Sequence, residues 1–185
     1  MLAEDLAMLL HDPETGRLLV SSDRANLVLG GALLADLADL DRIELSEPHR
    51  ATKNRTVAVV DPTPTGDPVL DEALQRIISG RARRSHVVVS KISSVARDRL
   101  KGSSPGRVGE AEELKRELRQ VLDGERSPTL REAAIVSLLQ GAGRTAKVVG
   151  DAGLGGRELK RRAKAIAEGN AAGEAVRQAL NAAAF

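Results

Sequence analysis

The sequence contains no cysteine, tryptophan or tyrosine and only one phenylalanine among its 185 residues. Without cysteine the chain cannot form disulfides, bind a metal through thiolates or use a thiol nucleophile. With almost no aromatic rings it lacks the side chains that usually stack on single-stranded nucleic acids. Its core must therefore be aliphatic, because Ala, Leu, Val and Ile supply nearly all of the 42% apolar residues.

Two further absences concern membranes and export. The first residues lack a basic region followed by an apolar run, so we expect no signal peptide. No uncharged stretch reaches the roughly 18 to 20 residues that a membrane span needs. We expect a soluble or peripheral protein, and its length suits a single domain over residues 1–185.

Candidates for catalysis are equally scarce. The histidines His11, His49 and His86 are far apart in sequence and belong to no HExxH or His-x-His motif. No serine lies in a Gly-x-Ser-x-Gly elbow, and the glycine-rich residues 153–156 lack the order of a phosphate-binding loop. We therefore expect that the protein is not an enzyme and carries no cofactor or metal.

Charge is abundant but unevenly distributed. Residues 1–75 carry 6 basic and 14 acidic side chains, residues 76–107 carry 9 basic and one acidic, and residues 108–185 carry 13 basic and 11 acidic. The central basic block predicts a surface that meets polyanions, such as phospholipid head groups, nucleic acid or an acidic partner. A solvated helix face without a ligand is the alternative reading of the same block.

The spacing of apolar residues predicts a mainly α fold, a single-domain helical bundle with a small β-hairpin. Helices are predicted at about 4–10, 25–40, 68–79, 88–100, 110–122, 129–141 and 157–183. Strand-like residues at 42–45 and 56–60 predict the hairpin, and residues 18–20 predict a brief strand. The glycine, serine and proline content of residues 101–109 predicts a flexible connector.

Local signals refine three of these helices. Asp67 followed by Pro68 predicts a capped helix start, and Thr129 with Glu132 has the form of a capping box. Gly30 and Gly31 lie inside a predicted helix, where glycine costs stability relative to alanine. We attribute this pair to close helix packing, because no glycine-rich loop surrounds it.

The helix followed by a hairpin also looks like part of a winged helix, so a winged-helix-like nucleic-acid-binding protein is the alternative function. A wing that faces a duplex should be basic. The candidate wing belongs to the acidic first 75 residues, which makes nucleic acid the less favoured partner.

Four stretches of the sequence resemble the Golgi phosphoprotein family. They are GALLADLADLDRIEL at 31–45, DPTPTGDPVLDEAL at 61–74, REAAIVSLLQGAG at 131–143, and residues 161–180. The Pro-Thr-Gly-Asp turn followed by LDEAL is the most specific of them. The excess of arginine over lysine, 21 to 7, is similar to what the family's bacterial branch in high-G+C organisms would show.

The resemblance implies a mostly helical protein that binds phosphatidylinositol 4-phosphate in a shallow basic pocket, at the cytoplasmic face of a membrane. Eukaryotic members build that pocket from a tryptophan, an arginine at the start of the second helix and two arginines three residues apart on a later helix. Alignment with this pattern puts Arg97 on the second arginine of the pair. Ser94, Gly30 and Ser21 stand at or near the other three positions.

The family's β-hairpin after the arginine-bearing helix is missing or shortened, because residues 101–109 are too few to supply it. That hairpin is implicated in self-association, so a homo-oligomer remains an open alternative. The resemblance and the basic block together predict a peripheral protein that binds an anionic phosphoinositide membrane surface. The predicted head-group-binding residues are Arg97, Arg99, Lys91, Arg81 and Arg84, with Arg83 as a further candidate.

Overall fold

The computed structural model describes residues 1–51, 54–81, 83–102, 108–150 and 153–183, with the side chains of all of these except 98–102 and 108. Its helices are α1 (Leu2–Leu9), α2 (Ser22–Asp39), α3 (Pro68–Ile78), α4 (Ser85–Gly102), α5 (Val108–Asp123), α6 (Leu130–Gly141), α7 (Thr145–Val149), α8 (Gly156–Ala167) and α9 (Ala171–Ala183). Two short strands, β1 (Ile43–Leu45) and β2 (Val57–Val59), complete the described elements. The predicted mainly α fold with a small β-hairpin is confirmed.

The central element is α2, which packs against α1, α3, α4, α6 and α9. Its two glycines allow this close approach. A Cβ built on Gly30 would lie 2.7 Å from the carbonyl oxygen of Val89 on α4. A Cβ on Gly31 would lie 2.4 Å from Cγ2 of Val176 on α9 and 2.6 Å from Cδ2 of Leu138 on α6. The glycine pair therefore serves helix packing, as the sequence predicts.

One aliphatic core runs through these helices. Leu6, Leu33, Leu74, Ile92 and Leu138 come from five different helices and belong to the same cluster of buried side chains. Burying a side chain of this size contributes about 1.5 to 3 kcal/mol relative to leaving it exposed. The stability of the fold thus rests on aliphatic packing, as the lack of aromatic residues requires.

The β-hairpin adds a small layer beside the bundle. Its antiparallel register pairs Ile43 with Val59 and Leu45 with Val57. Ile43 and Val57 are buried, while Glu44, the middle residue of β1, is exposed. This alternation is expected of a sheet with one face exposed to solvent. This hairpin positions the linker between α3 and α4, as described below.

Both predicted helix caps are present. Oδ1 of Asp67 accepts hydrogen bonds from the N–H groups of Val69 at 2.8 Å and Leu70 at 3.0 Å. Thr129 and Glu132 form the reciprocal capping box at the start of α6.

Two predictions about secondary structure were wrong in detail, and one short helix was not predicted. The single helix predicted at 157–183 is two helices, because Gly169 has φ +83 and the side chain of Asn170 accepts from the N–H of Gly173 to start α9. The strand predicted at 18–20 is reduced to an isolated bridge between His11 and Leu18. The five-residue helix α7 was not predicted, because it is too short to show a periodic pattern.

The predicted connector falls largely outside the described residues. The helix predicted from residue 88 begins earlier, at Ser85, and continues to Gly102, while α5 begins at Val108. Residues 103–107 lie outside the described part of the chain. That residues 1–185 form one domain stays a prediction.

Candidate anion-binding surface

The linker between α3 and α4 is held in place by the β-hairpin. The N–H of Val57 on β2 donates to the carbonyl of Arg83 at 2.7 Å, and the N–H of Ser85 donates to the carbonyl of Arg55 at 2.9 Å. An isolated antiparallel bridge joins Thr56 to Arg84 between these bonds. The backbone that carries the linker arginines is therefore fixed at the edge of the sheet.

Four of the five predicted head-group residues have described side chains, and all four are exposed. These are Arg81 and Arg84 in the linker and Lys91 and Arg97 on α4. Arg83 is exposed as well, and it donates to the carbonyl of Gly80 at 3.4 Å. The side chain of Arg99 lies outside the described residues, although its backbone belongs to α4.

The side chain of Lys91 also packs against the end of α3. A Cβ built on Gly80 would lie 2.6 Å from Nζ of Lys91 and 3.0 Å from the carbonyl oxygen of Arg76. The ammonium group therefore sits at the C-terminal end of α3, where a cation interacts favourably with the helix dipole. Gly80 leaves the space that this contact needs.

Exposed aliphatic side chains lie among these cations. Ile78, at the end of α3, is 38% exposed and Val87, one helical turn before Lys91, is 41% exposed. We call the surface formed by Ile78, Arg81, Arg83, Arg84, Val87 and Lys91 the α3–α4 surface. Cations beside exposed aliphatic groups fit the boundary between lipid head groups and acyl chains.

Helix geometry separates the predicted residues into two groups. Arg97 lies 12 residues after Ser85, which corresponds to about 18 Å along the axis of α4. It also lies about 9 Å along the axis from Lys91 and about 120° around it. One phosphate group cannot contact the linker arginines and Arg97 together, so these cations line an extended surface.

Arg76 on α3, which the sequence did not single out, contacts α4 at Ser94, three residues before Arg97. Nη1 of Arg76 on α3 donates to Oγ of Ser94 on α4 at 2.5 Å, and Nη2 of Arg76 donates to Glu72 at 2.6 Å. Ser94 stands where the resemblance puts the first arginine of the pair. Arg76 thus brings a guanidinium to that position from a neighbouring helix.

Arg97 follows Ser94 by three residues, so the two side chains lie on the same face, about 5 to 6 Å apart at Cβ. No carboxylate in the described part of the chain lies within ion-pair distance of Arg97. We call Arg76, Ser94 and Arg97 the Arg76–Arg97 site. The Arg76 guanidinium contacts the Ser94 hydroxyl and Arg97 follows on the same face of α4, with only Glu72 as a described counter-charge, an arrangement that favours an anionic ligand.

Serine hydroxyls contribute little to this site. Ser90 donates to the carbonyl of His86 at 3.0 Å, Ser93 to that of Ser90 at 2.7 Å, and Ser94 to that of Lys91 at 3.1 Å. Their hydroxyl hydrogens are used within α4. The donors available to an anion are therefore those of the arginines and the lysine.

The remaining family positions do not form part of a pocket. Gly30 is buried against α4 and has no room even for a methyl group. Ser21 is exposed at the N-cap of α2 and makes no side-chain capping bond. Arg24 in the first turn of α2 is used elsewhere, since it donates to the carbonyl of Ala142 at 2.8 Å. Gly30 and Ser21, the residues aligned with the second-helix arginine and the tryptophan, thus supply neither a cation nor an aromatic ring.

Neither a membrane span nor a metal site is found among the described residues. No described helix is both long and apolar enough to cross a membrane. No group of three or more His, Asp or Glu side chains in those same ranges could hold a metal ion.

Comparison with known proteins identifies the family. No curated protein matches the sequence. The family model described as Golgi phosphoprotein 3 (GPP34) matches residues 2–103 and 104–183, so the match extends from α1 to the end of α9 and confirms the resemblance. The chain therefore belongs to the Golgi phosphoprotein 3 (GPP34) family.

Proposed function

We propose that the protein is a peripheral membrane protein that binds an anionic phosphoinositide head group, with phosphatidylinositol 4-phosphate as the first candidate. The observation that carries the proposal is the Arg76–Arg97 site. Its two arginines reach one exposed face of α4 from different helices, and one of them substitutes for an arginine that the family pattern places on α4. The protein binds at the cytoplasmic face of a bilayer. We propose no catalytic reaction for it.

The α3–α4 surface supports the same function. Near an anionic leaflet each exposed lysine or arginine contributes about 1 kcal/mol, and the field of the cations adds to that of the positive end of α4. Arg81, Arg83, Arg84 and Lys91 supply such charge. The exposed Ile78 and Val87 supply aliphatic contact with lipid. This surface gives general membrane affinity, and the Arg76–Arg97 site gives head-group preference.

The winged-helix alternative gains no support from the hairpin. Its exposed acidic side chains Glu44 and Glu47 would face a duplex unfavourably. The edge of β2 is in addition bound to the linker before α4. Nucleic-acid binding is therefore not proposed for this element.

Flotation with liposomes tests the proposal through a matched pair of variants. Arg97→Ala should remove a charge-assisted contact worth about 1.5 to 3 kcal/mol, a loss of about tenfold or more in affinity for liposomes containing phosphatidylinositol 4-phosphate. Arg83→Ala removes the same charge from the linker, far from Arg97, and should cost only a small factor. Added salt should weaken binding of the wild type, because exposed charges are screened within about 8 Å at physiological ionic strength.

Lipid choice provides the second arm of the experiment. The wild type should prefer phosphatidylinositol 4-phosphate to phosphatidylserine at matched surface charge, and Arg97→Ala should lose that preference. Arg76→Ala should behave like Arg97→Ala if both guanidinium groups hold the head group. Equal losses for Arg83→Ala and Arg97→Ala, without lipid preference, would leave a nonspecific basic surface and refute the site.

A further inference from the structure

A second basic surface lies on α8, whose main neighbours are α5, α6 and α7. Arg157, Lys160, Arg161 and Lys164 are all exposed and follow the spacing i, i+3, i+4, i+7. This spacing places them within about 100° of arc on one helix face. Leu159 and Ala163 on the opposite face are buried in the core. We call the four cations the α8 ridge.

The charge balance around the α8 ridge leaves it strongly positive. Glu158 is the only acid in α8, and it is occupied by Arg161 at 2.6 Å and Arg162 at 2.8 Å. Arg162 turns toward the core side and donates to the carbonyl of Leu122 at the end of α5. The exposed Lys147 on the adjoining α7 adds a further cation. The net charge of residues 108–185 does not reveal this cluster of cations, because the acidic residues of α5 offset its positive charge.

The ridge and the α3–α4 surface belong to different sides of the bundle. The main neighbours of α8 are α5, α6 and α7, whereas those of α4 are α2, α3 and α9. Between them lie α2, α9 and α6, which pack on one another. We therefore expect the ridge to stay clear of a flat bilayer that contacts the exposed face of α4.

The chemistry of the ridge favours a flat anionic layer over the other polyanions. The sequence of α8 contains no Asn or Gln, which read bases, and no aromatic residue. Asp123 and Glu125, at and just after the end of α5, lie next to α8, and their charges would repel a duplex that wrapped around it. Protein partners are usually anchored by large apolar or aromatic groups. None of the large exposed apolar residues in the described chain belongs to α7 or α8.

We propose that the α8 ridge is a second contact for an anionic membrane, so that one molecule bound to a bilayer through α4 and its linker holds a second bilayer through α8. This inference rests on the proposed function. It predicts that the protein clusters anionic vesicles as well as binding them.

The test uses the double variant K160E/K164E and vesicles that contain phosphatidylserine and phosphatidylinositol 4-phosphate. The control is R17E/R50E, which makes the same change in net charge at two exposed arginines, one between α1 and α2 and one between β1 and β2. Flotation measures binding to one membrane, and light scattering measures clustering. Wild type and R17E/R50E should cluster the vesicles reversibly with salt. K160E/K164E should keep its flotation within about twofold but lose clustering by about thirtyfold or more, the effect of two lost contacts at a charged surface of about 1 kcal/mol each.

Each other outcome overturns the inference in a distinguishable way. Failure of the wild type to float would refute the proposed function itself, whereas flotation without clustering would refute only the role of the ridge. Clustering by K160E/K164E equal to that of the wild type would also refute it.

Loss of flotation in that variant would place the ridge on the first membrane. A wild-type dimer that becomes a monomer in the variant, measured by light scattering after gel filtration, would assign the ridge to self-association. Duplex DNA binding that depends on the ridge, without clustering, would assign it to nucleic acid.

Discussion

The carboxylate of Glu132 offers the sharpest test of how the fold is held together. Its side chain is only 6% exposed and sits between α6 and the segment that precedes it. Oε2 accepts from Nη1 of Arg126 at 2.8 Å, from the N–H of Thr129 at 2.8 Å and from Oγ1 of Thr129 at 2.9 Å, while Oε1 accepts from Nη2 of Arg126. Hydrogen bonding by Arg126 lowers the pKa of Glu132 from 4.5 to about 2.

The substitution Glu132→Gln keeps the shape of the side chain but removes its charge. Both carboxylate oxygens face only donors, so the new amide N–H₂ must point at a donor in either orientation. A shift of this size corresponds to about 3 kcal/mol at 1.36 kcal/mol for each pKa unit. Arg126 is about a third exposed, and solvent screening reduces the value. We expect the variant to lose about 2 kcal/mol of unfolding free energy at neutral pH.

The pH dependence follows from the direction of the pKa shift. Because the folded pKa is depressed, the stabilisation is fully present above the unfolded value of 4.5 and is lost as the pH falls toward about 2. The difference between wild type and Glu132→Gln should therefore shrink through this window. Urea unfolding followed by circular dichroism at several pH values measures it.

A control and a refuting result complete this prediction. Glu158 also has a pKa lowered to about 2, by hydrogen bonds from Arg161 and Arg162, but it lies on the outer part of α8. Glu158→Gln should therefore cost less than Glu132→Gln at neutral pH. A stability difference for Glu132→Gln that stays constant down to the acid end would show that lost packing, and not the charge of the carboxylate, causes it.

Two further predictions concern the elements that position the site. Asp67→Ala should lower the unfolding free energy by about 1 kcal/mol in urea titrations, because it removes the cap of α3, while lipid affinity per folded molecule stays unchanged. Loss of lipid binding at intact stability would instead place this turn in the site. Gly30→Ala should destabilise the protein by about 1 to 3 kcal/mol through its contact with the Val89 carbonyl, despite the better helix propensity of alanine. Gly109→Ala on α5, with no neighbour within 4 Å, should be neutral or stabilising in the same assay, and equal effects of the two would contradict the packing argument.

Much of the fold followed from local patterns. The helices around residues 68–79 and 129–141 could be predicted closely, because capping residues and apolar periodicity act within one element. The break at Gly169 was missed because the alanine-rich sequence on either side keeps high helix propensity, and the end of α8 depends on backbone geometry at one residue.

The candidate site was less accessible to sequence reasoning. The basic block of residues 76–107 contains exposed cations, Arg97 among them. That these cations bind a head group stays a prediction. Arg76 could not be singled out, because it lies 18 residues before Ser94 and meets it only when α3 packs beside α4. The sequence likewise could not show that Arg84 and Arg97 are too far apart to share one phosphate until the start of α4 was known.

The sequence by itself determined the helical class, the aliphatic core, the absence of thiol chemistry and the presence of a basic segment. These properties depend on composition and on periodicity within single helices. Only the tertiary structure decided that Gly30 packs against α4, that Arg76 stands beside Ser94, and that the cations of α8 form a separate ridge. Each of these depends on the rotation and distance of one helix relative to another, which close packing of many side chains sets and no single helix encodes.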